Sequence, residues 1–292
     1  MQTPYKLDDT ASYLRWRDNK LANAITTCDE LIVEIKNPLK LTIIEHTALL
    51  DRCQRSNMAI YATQTELADE GMVKQLGLQF GLNCLDANWL ADEQGITRVT
   101  VSANDGQRQA YIPYTDRAIK WHTDGYYNPS ERQIRSFVLH CAQSAGQGGE
   151  NRLMDHEIAY LMLRDKNPDF IHALSAPDAM TIPERTDDEG VARAAQTGPV
   201  FSVDPTSGKL HMRYTARTRS IEWKQDAATL AAVAVLEKLL ASDLPHIIHT
   251  RLEPGMGLLC NNVLHDRSAF TDDPNNPRLL YRARYMERIT KN

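Results

Sequence analysis

Apolar positions follow two different rhythms along the chain. Up to about residue 95 they recur at helical spacing around two short β-branched runs. Beyond that they alternate in short segments bounded by turn residues. Residues 8–27 read as a helix, with Leu14, Trp16, Leu21 and Ile25 as inward positions among charges. Leu31 to Ile35 reads as a strand, Thr42 to Arg55 as a second helix and Ala59 to Tyr61 as a short strand. Thr65, with Asp69 and Glu70, opens a third helix running to about Leu78.

From Thr97 the pattern predicts strands at Arg98 to Ser102, Gln109 to Tyr114, Ala118 to Thr123 and Arg135 to Cys141. Gly148-Gly149 then allows a tight turn, and helices open at Asp155 and Pro168. Residues 183–198 are charged and weakly patterned, so they read as a loop. Loops of that length in a compact domain are either active-site lids or simply mobile. Pro199 to Tyr214 reads as a hairpin with turn residues at its centre. Leu230, Val233, Leu236 and Leu240 form one face of a helix from Asp226 to Ser242. Strands at Ile247 to Leu252, Gly257 to Asn261 and Arg278 to Met286 close the chain. Many short strands with a few outer helices predict a mainly β fold with flanking helices, a sandwich or jelly roll. Residues 1–95 form an N-terminal α/β segment packed on a core of residues 96–292, the two making one structural unit.

Composition narrows the function more than the fold. The 292 residues carry a net charge of −5 with both signs dispersed, which gives neither a nucleic-acid footprint nor an attraction to anionic membranes. The longest apolar run, Leu230 to Leu236, is too short to cross a bilayer, and the start lacks the apolar core of a secretory signal. Five scattered cysteines form no Cys-x-x-Cys pair, so a reducing cytoplasm is the expected setting.

The candidate chemistry centres on Trp121-His122-Thr123-Asp124-Gly125. In an extended segment His122 and Asp124 point to the same side, where an imidazole and a carboxylate can bind one metal ion. Many strands carry such a pair merely as a hydrogen bond, so a third ligand is needed. The best candidate is His265, in Asn262-Val263-Leu264-His265-Asp266-Arg267. Two histidines and one carboxylate make the facial triad of non-haem Fe(II) oxygenases, with three positions left open. A dicarboxylic 2-oxoacid chelating there would need a cation for its far carboxylate, and Arg278 offers a planar fork. Arg278, Arg282 and Arg284 share one face of their strand, where they repel one another unless anions lie near. Tyr126 and Tyr127 follow the metal motif and either line the pocket or pack. His140 and His211 read as core residues, and Asp155 and Glu157 as helix N-terminal acids.

Trp-His-Thr-Asp-Gly, Gly-Gly-Glu-Asn, His-Asp-Arg-Ser-Ala-Phe and Arg-Leu-Leu-Tyr-Arg-Ala occur here in that order. Over residues 110–288 the combination resembles the taurine dioxygenase-like (TauD/TfdA) family of Fe(II)- and 2-oxoglutarate-dependent oxygenases. The resemblance implies a double-stranded β-helix core, with iron held by His122, Asp124 and His265. It implies that Arg278 pairs with the far carboxylate of 2-oxoglutarate and that Arg282 holds an anionic group of a small-molecule substrate. Asn151 stands where the family has a threonine that touches 2-oxoglutarate. Cys260-Asn261-Asn262 departs from a common Asp-Asn-Arg stretch, which leaves these asparagines without an inherited role. Because Asp124 fills the carboxylate position, the implied reaction is oxidation of a C–H bond by O2, by default hydroxylation, with release of succinate and CO2. Desaturation and ring closure belong to the same chemistry. A non-catalytic β-sandwich that binds a metal or small anion is the alternative from another class, and a hydrolytic metal enzyme is a weaker one. The additional N-terminal third leaves room for a homo-oligomer contact.

Overall fold

The computed structural model describes residues 3–64, 69–86, 95–101, 111–187, 190–217 and 221–290. Two sheets face each other. The major sheet has six strands in the order Ile32–Glu34, Met58–Ala62, Met256–Cys260, Ser136–Gln143, Leu279–Tyr285 and Ile96–Val99. Its first pair is parallel and the others are antiparallel. The minor sheet is antiparallel, in the order Ile248–Thr250, Asn151–Met154, Leu264–Arg267 and Ile119–His122.

Alternation along the major strands sorts their side chains into two cores. Ile60, Phe137, Cys141, Leu258 and Leu280 meet Leu153 and Ile248 of the minor sheet. Tyr61, Val138, Leu259, Tyr281 and Tyr285 turn the other way, onto Leu49 and Cys53 of helix Ile43–Ser56 and Met72, Val73 and Leu76 of helix Glu70–Leu78. On the outside of the minor sheet, Trp121, Met154 and Leu264 pack with helices His156–Lys166, Pro168–Leu174 and Ala227–Leu240. The result is the four-layer arrangement of a double-stranded β-helix flanked by helices.

Most of the predicted elements are present, and three expectations change. The first helix is Thr10–Ala22, and its buried residues are Tyr13 and Lys20. Leu14 and Leu21 instead face outward, at 37% and 39% exposure. The inward face is set by polar partners that the apolar pattern does not show: Lys20 Nζ lies 2.6 Å from both Asp155 and Glu157, and Tyr13 Oη donates to Asp165 at 2.6 Å. Asp155 is the N-cap acid expected of it, accepting from Glu157 N, and is also one side of this buried ion pair.

The expected strand at Gln109 to Tyr114 is, over its described part, a single 3-10 turn at Ile112–Tyr114; Pro113 has no N–H to give to a ladder. Gln109 and Ala110, like Ser102 and the helix start at Thr65, lie outside the described residues. The stretch 183–198 contains strands rather than loop: Arg185–Asp187 pairs with Gly190–Arg193, and Gln196–Gly198 pairs with Met180–Ile182. Phe201–Val203 and Leu210–Met212 form the expected hairpin.

Candidate metal centre

The minor sheet delivers the candidate ligands to one point. His265 and His122 are direct partners in the ladder between strands Leu264–Arg267 and Ile119–His122, and their rings lie 4.2 Å apart. Asp124 follows just beyond the strand end. The ligand atoms of His122, Asp124 and His265 all lie within 4.8 Å of one another. The neighbours in the motif alternate to the outside and lock the strand there. Trp121 Nε1 donates to Leu240 O at 2.9 Å, and Thr123 Oγ1 accepts from Tyr214 N at 3.1 Å. Gly125, at φ +67°, then turns the chain away, and a side chain at that position would run into Ile134.

Each imidazole is held through its Nδ1. His122 Nδ1 lies 2.9 Å from Lys120 O and His265 Nδ1 lies 3.0 Å from Val263 O. A carbonyl can only accept, so both rings carry their proton on Nδ1 and present a bare Nε2. Burial, reinforced by the neighbouring His265, pushes His122 down to about 3, and burial also lowers His265. Both rings are therefore neutral, as a metal requires. Burial alone would raise the Asp124 carboxyl, but Arg282 and then Arg284 hold it well below the carboxylate range.

Arg282 Nη1 straddles that carboxylate, 3.3 Å from Oδ1 and 3.2 Å from Oδ2. Buried Oδ2 still accepts no hydrogen bond among the described residues, and Arg282 Nε likewise has no partner. The donor set thus comprises two bare imidazole nitrogens and one ionised carboxylate with an unsatisfied oxygen. That set fits a divalent metal of Fe(II) character.

The three strand arginines, which would repel one another in isolation, are kept apart by separate surroundings. Arg284 pairs with Asp86 at 2.6 Å, both fully buried, and donates to Tyr127 Oη at 2.9 Å. Arg278 stacks over Phe270, its guanidinium 5.1 Å from the ring centre, and donates no side-chain hydrogen bond among the described residues. It lines a small hollow with Gly148, Gly149, Asn151 and Leu280. Both glycines are in the left-handed region, φ +75° and +77°, so the tight turn expected there is real. Asn151 Nδ2 donates one hydrogen to Asp266 O at 2.8 Å. Tyr126 places its ring edge-on to His122, with centroids 6.4 Å apart.

One positioning residue escaped the sequence reading. Asn262 Oδ1 accepts from Asp124 N at 2.7 Å, while its Nδ2 donates to Asp124 O at 2.9 Å and to Ile134 O at 2.6 Å. The asparagine that lacked an inherited role therefore clamps the backbone of the candidate carboxylate ligand. His140, as expected, is a core residue, at 1% exposure and 3.1 Å from Tyr61 Oη through Nδ1.

Comparisons with known proteins agree with this geometry. Residues 61–284 match the model of the taurine catabolism dioxygenase TauD, TfdA family. A uridine-5'-phosphate dioxygenase of Amycolatopsis sp is 34% identical over 57% of this chain and 60% of its own length. A second enzyme of that description, from Streptomyces sp, is 30% identical over 66% of this chain and 69% of its own. Among solved structures, an asparagine oxygenase with Fe(II), hydroxyasparagine and succinate superposes with a TM-score of 0.60. It covers 83% of this chain and 78% of its own at 13% identity, a likeness of fold. The chain belongs to the TauD/TfdA family, the non-haem iron dioxygenases that use 2-oxoglutarate and O2.

Proposed function

We propose that the protein oxidises a C–H bond of a small anionic molecule, with Fe(II) held by His122, Asp124 and His265. Convergence of one ligand atom from each of His122, Asp124 and His265 within 4.8 Å carries this reading. The balance is 2-oxoglutarate, O2 and R–H giving succinate, CO2 and R–OH, with one oxygen atom of O2 in each oxidised product. Iron, when bound, supplies the redox chemistry and the open positions for co-substrate and oxygen.

The chain's own groups bind and orient. Lys120 O and Val263 O keep both imidazoles in the ligating tautomer, and Asn262 fixes the backbone that carries Asp124. Arg278 holds the far carboxylate of 2-oxoglutarate, because its buried fork is otherwise unpaired and the Gly148-Gly149 turn leaves space beside it. Asn151 contributes its second Nδ2 hydrogen to the same carboxylate. Arg282 keeps Asp124 ionised and, through its unpartnered Nε, offers a hydrogen bond to an anionic group near the metal. Tyr126 walls the side next to His122. The relatives named above are uridine-5'-phosphate dioxygenases, and a phosphorylated nucleoside or a similar phosphate ester is the substrate class we assign.

The test is anaerobic addition of Fe(II) and then 2-oxoglutarate, read by visible absorption. A weak charge-transfer band that needs both additions is expected, and His122→Ala should abolish it together with succinate release. Absence of the band in folded wild-type protein would leave a metal- or anion-binding module instead.

A further inference from the structure

Beside the metal centre three arginines converge without a carboxylate partner among the described residues. Arg185 and Arg193 are direct cross-strand partners in the hairpin of Arg185–Asp187 with Gly190–Arg193. Like charges placed opposite each other in this way destabilise a ladder. Arg193 lies over the Tyr127 ring at 5.7 Å, and Tyr127 packs edge-on against Tyr126 with centroids 5.2 Å apart. Arg217 Nη1 donates to Tyr126 Oη at 3.4 Å, and Arg185 stacks over Tyr111 at 4.5 Å. None of the three makes an ion pair among the described residues, and the buried Nε of Arg193 has no partner. The tyrosines connect this cluster to the metal centre: Tyr126 packs edge-on against His122, and Tyr127 accepts from Arg284. Elsewhere in the chain buried cations are met by anions, as at Arg284–Asp86 and Lys20–Asp155–Glu157, or by backbone carbonyls, as at Arg164, Arg213 and Arg267. Three guanidiniums in one place, none paired with a carboxylate among the described residues, suit an anion of more than one charge.

We propose that Arg193 and Arg217, with Arg185 behind them, form the subsite for the phosphate group of the substrate, one aromatic ring away from the metal ligands. The proposal rests on the oxygenase reading and deepens it. Arg282 is engaged with Asp124 at the metal, so the two anion positions have separate work. Arg282 serves the group next to the reacting carbon, and the arginine cluster anchors the distant phosphate. Phosphate suits planar forks better than a monocarboxylate does, because it offers several oxygens and nearly two charges. Tyr126 and Tyr127 supply flat faces between the two positions, as a ring-bearing phosphate ester would need.

The experiment compares wild type with Arg193→Gln/Arg217→Gln, using uridine 5'-phosphate and uridine as ligands in calorimetry and in succinate release. The Fe(II)/2-oxoglutarate band serves as the control that the metal centre is intact. Wild type should bind the phosphate ester at least about tenfold more tightly than uridine, and the double variant should lose most of that difference, since charge-assisted hydrogen bonds carry it. In turnover the loss should fall on KM more than on kcat. Arg217→Lys, which keeps the charge but loses the fork, should be intermediate and guards against misfolding of the double variant. A double variant that keeps the band and still prefers the phosphate ester as wild type does would overturn the subsite. So would wild-type protein that keeps the band and does not distinguish the two ligands. Loss of the band in wild type is a failure of the oxygenase reading instead, and the calorimetric comparison still decides the subsite.

Discussion

Asn262 sits at φ +52°, a left-handed conformation that asparagine tolerates better than most side chains. From there one amide satisfies three backbone groups, both faces of Asp124 among them. Asn262→Ala leaves those buried groups unpaired, at about 1–3 kcal/mol for each unsatisfied group. Because Asp124 is placed through this clamp, the variant should also bind Fe(II) about 10- to 100-fold more weakly. Titration followed by the 2-oxoglutarate band checks the affinity, and thermal melting checks the stability. At this scale the candidate ligands were legible because ligation demands particular residue types at a period-two spacing. The clamp was not, since an asparagine side chain imitating backbone leaves no periodic trace. The arginine cluster was hidden for a related reason: Arg185 and Arg193 meet across a hairpin that has no apolar alternation, and Arg217 reaches them only through tertiary packing.

Helix Thr10–Ala22 shows what periodicity can and cannot decide about an element. Its existence follows from the sequence, with Asp9 capping Ser12 N. Its buried face does not, because Lys20 goes inward to meet Asp155 and Glu157, more than 130 residues away. Lys20→Ala strands two buried carboxylates and should cost about 3–5 kcal/mol, the usual penalty for removing one side of a buried pair. Lys20→Met together with Asp155→Asn and Glu157→Gln should recover much of it, and denaturant melts of the two proteins would show the difference. The strands of the double-stranded β-helix were legible wherever a core lies on one or both of their faces, as at Ser136–Gln143 and Leu279–Tyr285. The hairpin at 185–193 was not, because it carries arginines in place of an apolar alternation.

Across the molecule, buried neutral histidines couple stability to pH. His140 and His156 are each 1% exposed, and burial pushes His140 down to about 4 and also lowers His156. In the unfolded chain both titrate near 6.5, so as pH falls the unfolded state takes up protons first. Stability is therefore fully present above about pH 6.5 and declines as pH drops towards 4, with His140 alone contributing up to about 3 kcal/mol of the loss. Metal-free protein should melt at a lower temperature at pH 4.5 than at pH 7, and His140→Gln should narrow that gap. The same burial comes from an architecture in which Met58–Ala62, from the N-terminal third, is hydrogen-bonded to Met256–Cys260 near the other end of the chain. The major sheet is thus completed by strands far apart in sequence, and among the described residues no helix is long and apolar enough to cross a membrane.

The pairing of His122 with His265 across two adjacent strands has one more consequence. Side chains alternate, so a slip of one residue between these strands would turn His265 outward and bring Leu264 or Asp266 into its place. Only one alignment offers a metal both imidazoles at once. An ion that binds during refolding therefore selects the chains whose strands have aligned correctly, acting as a proofreader of the fold before it serves as a reagent.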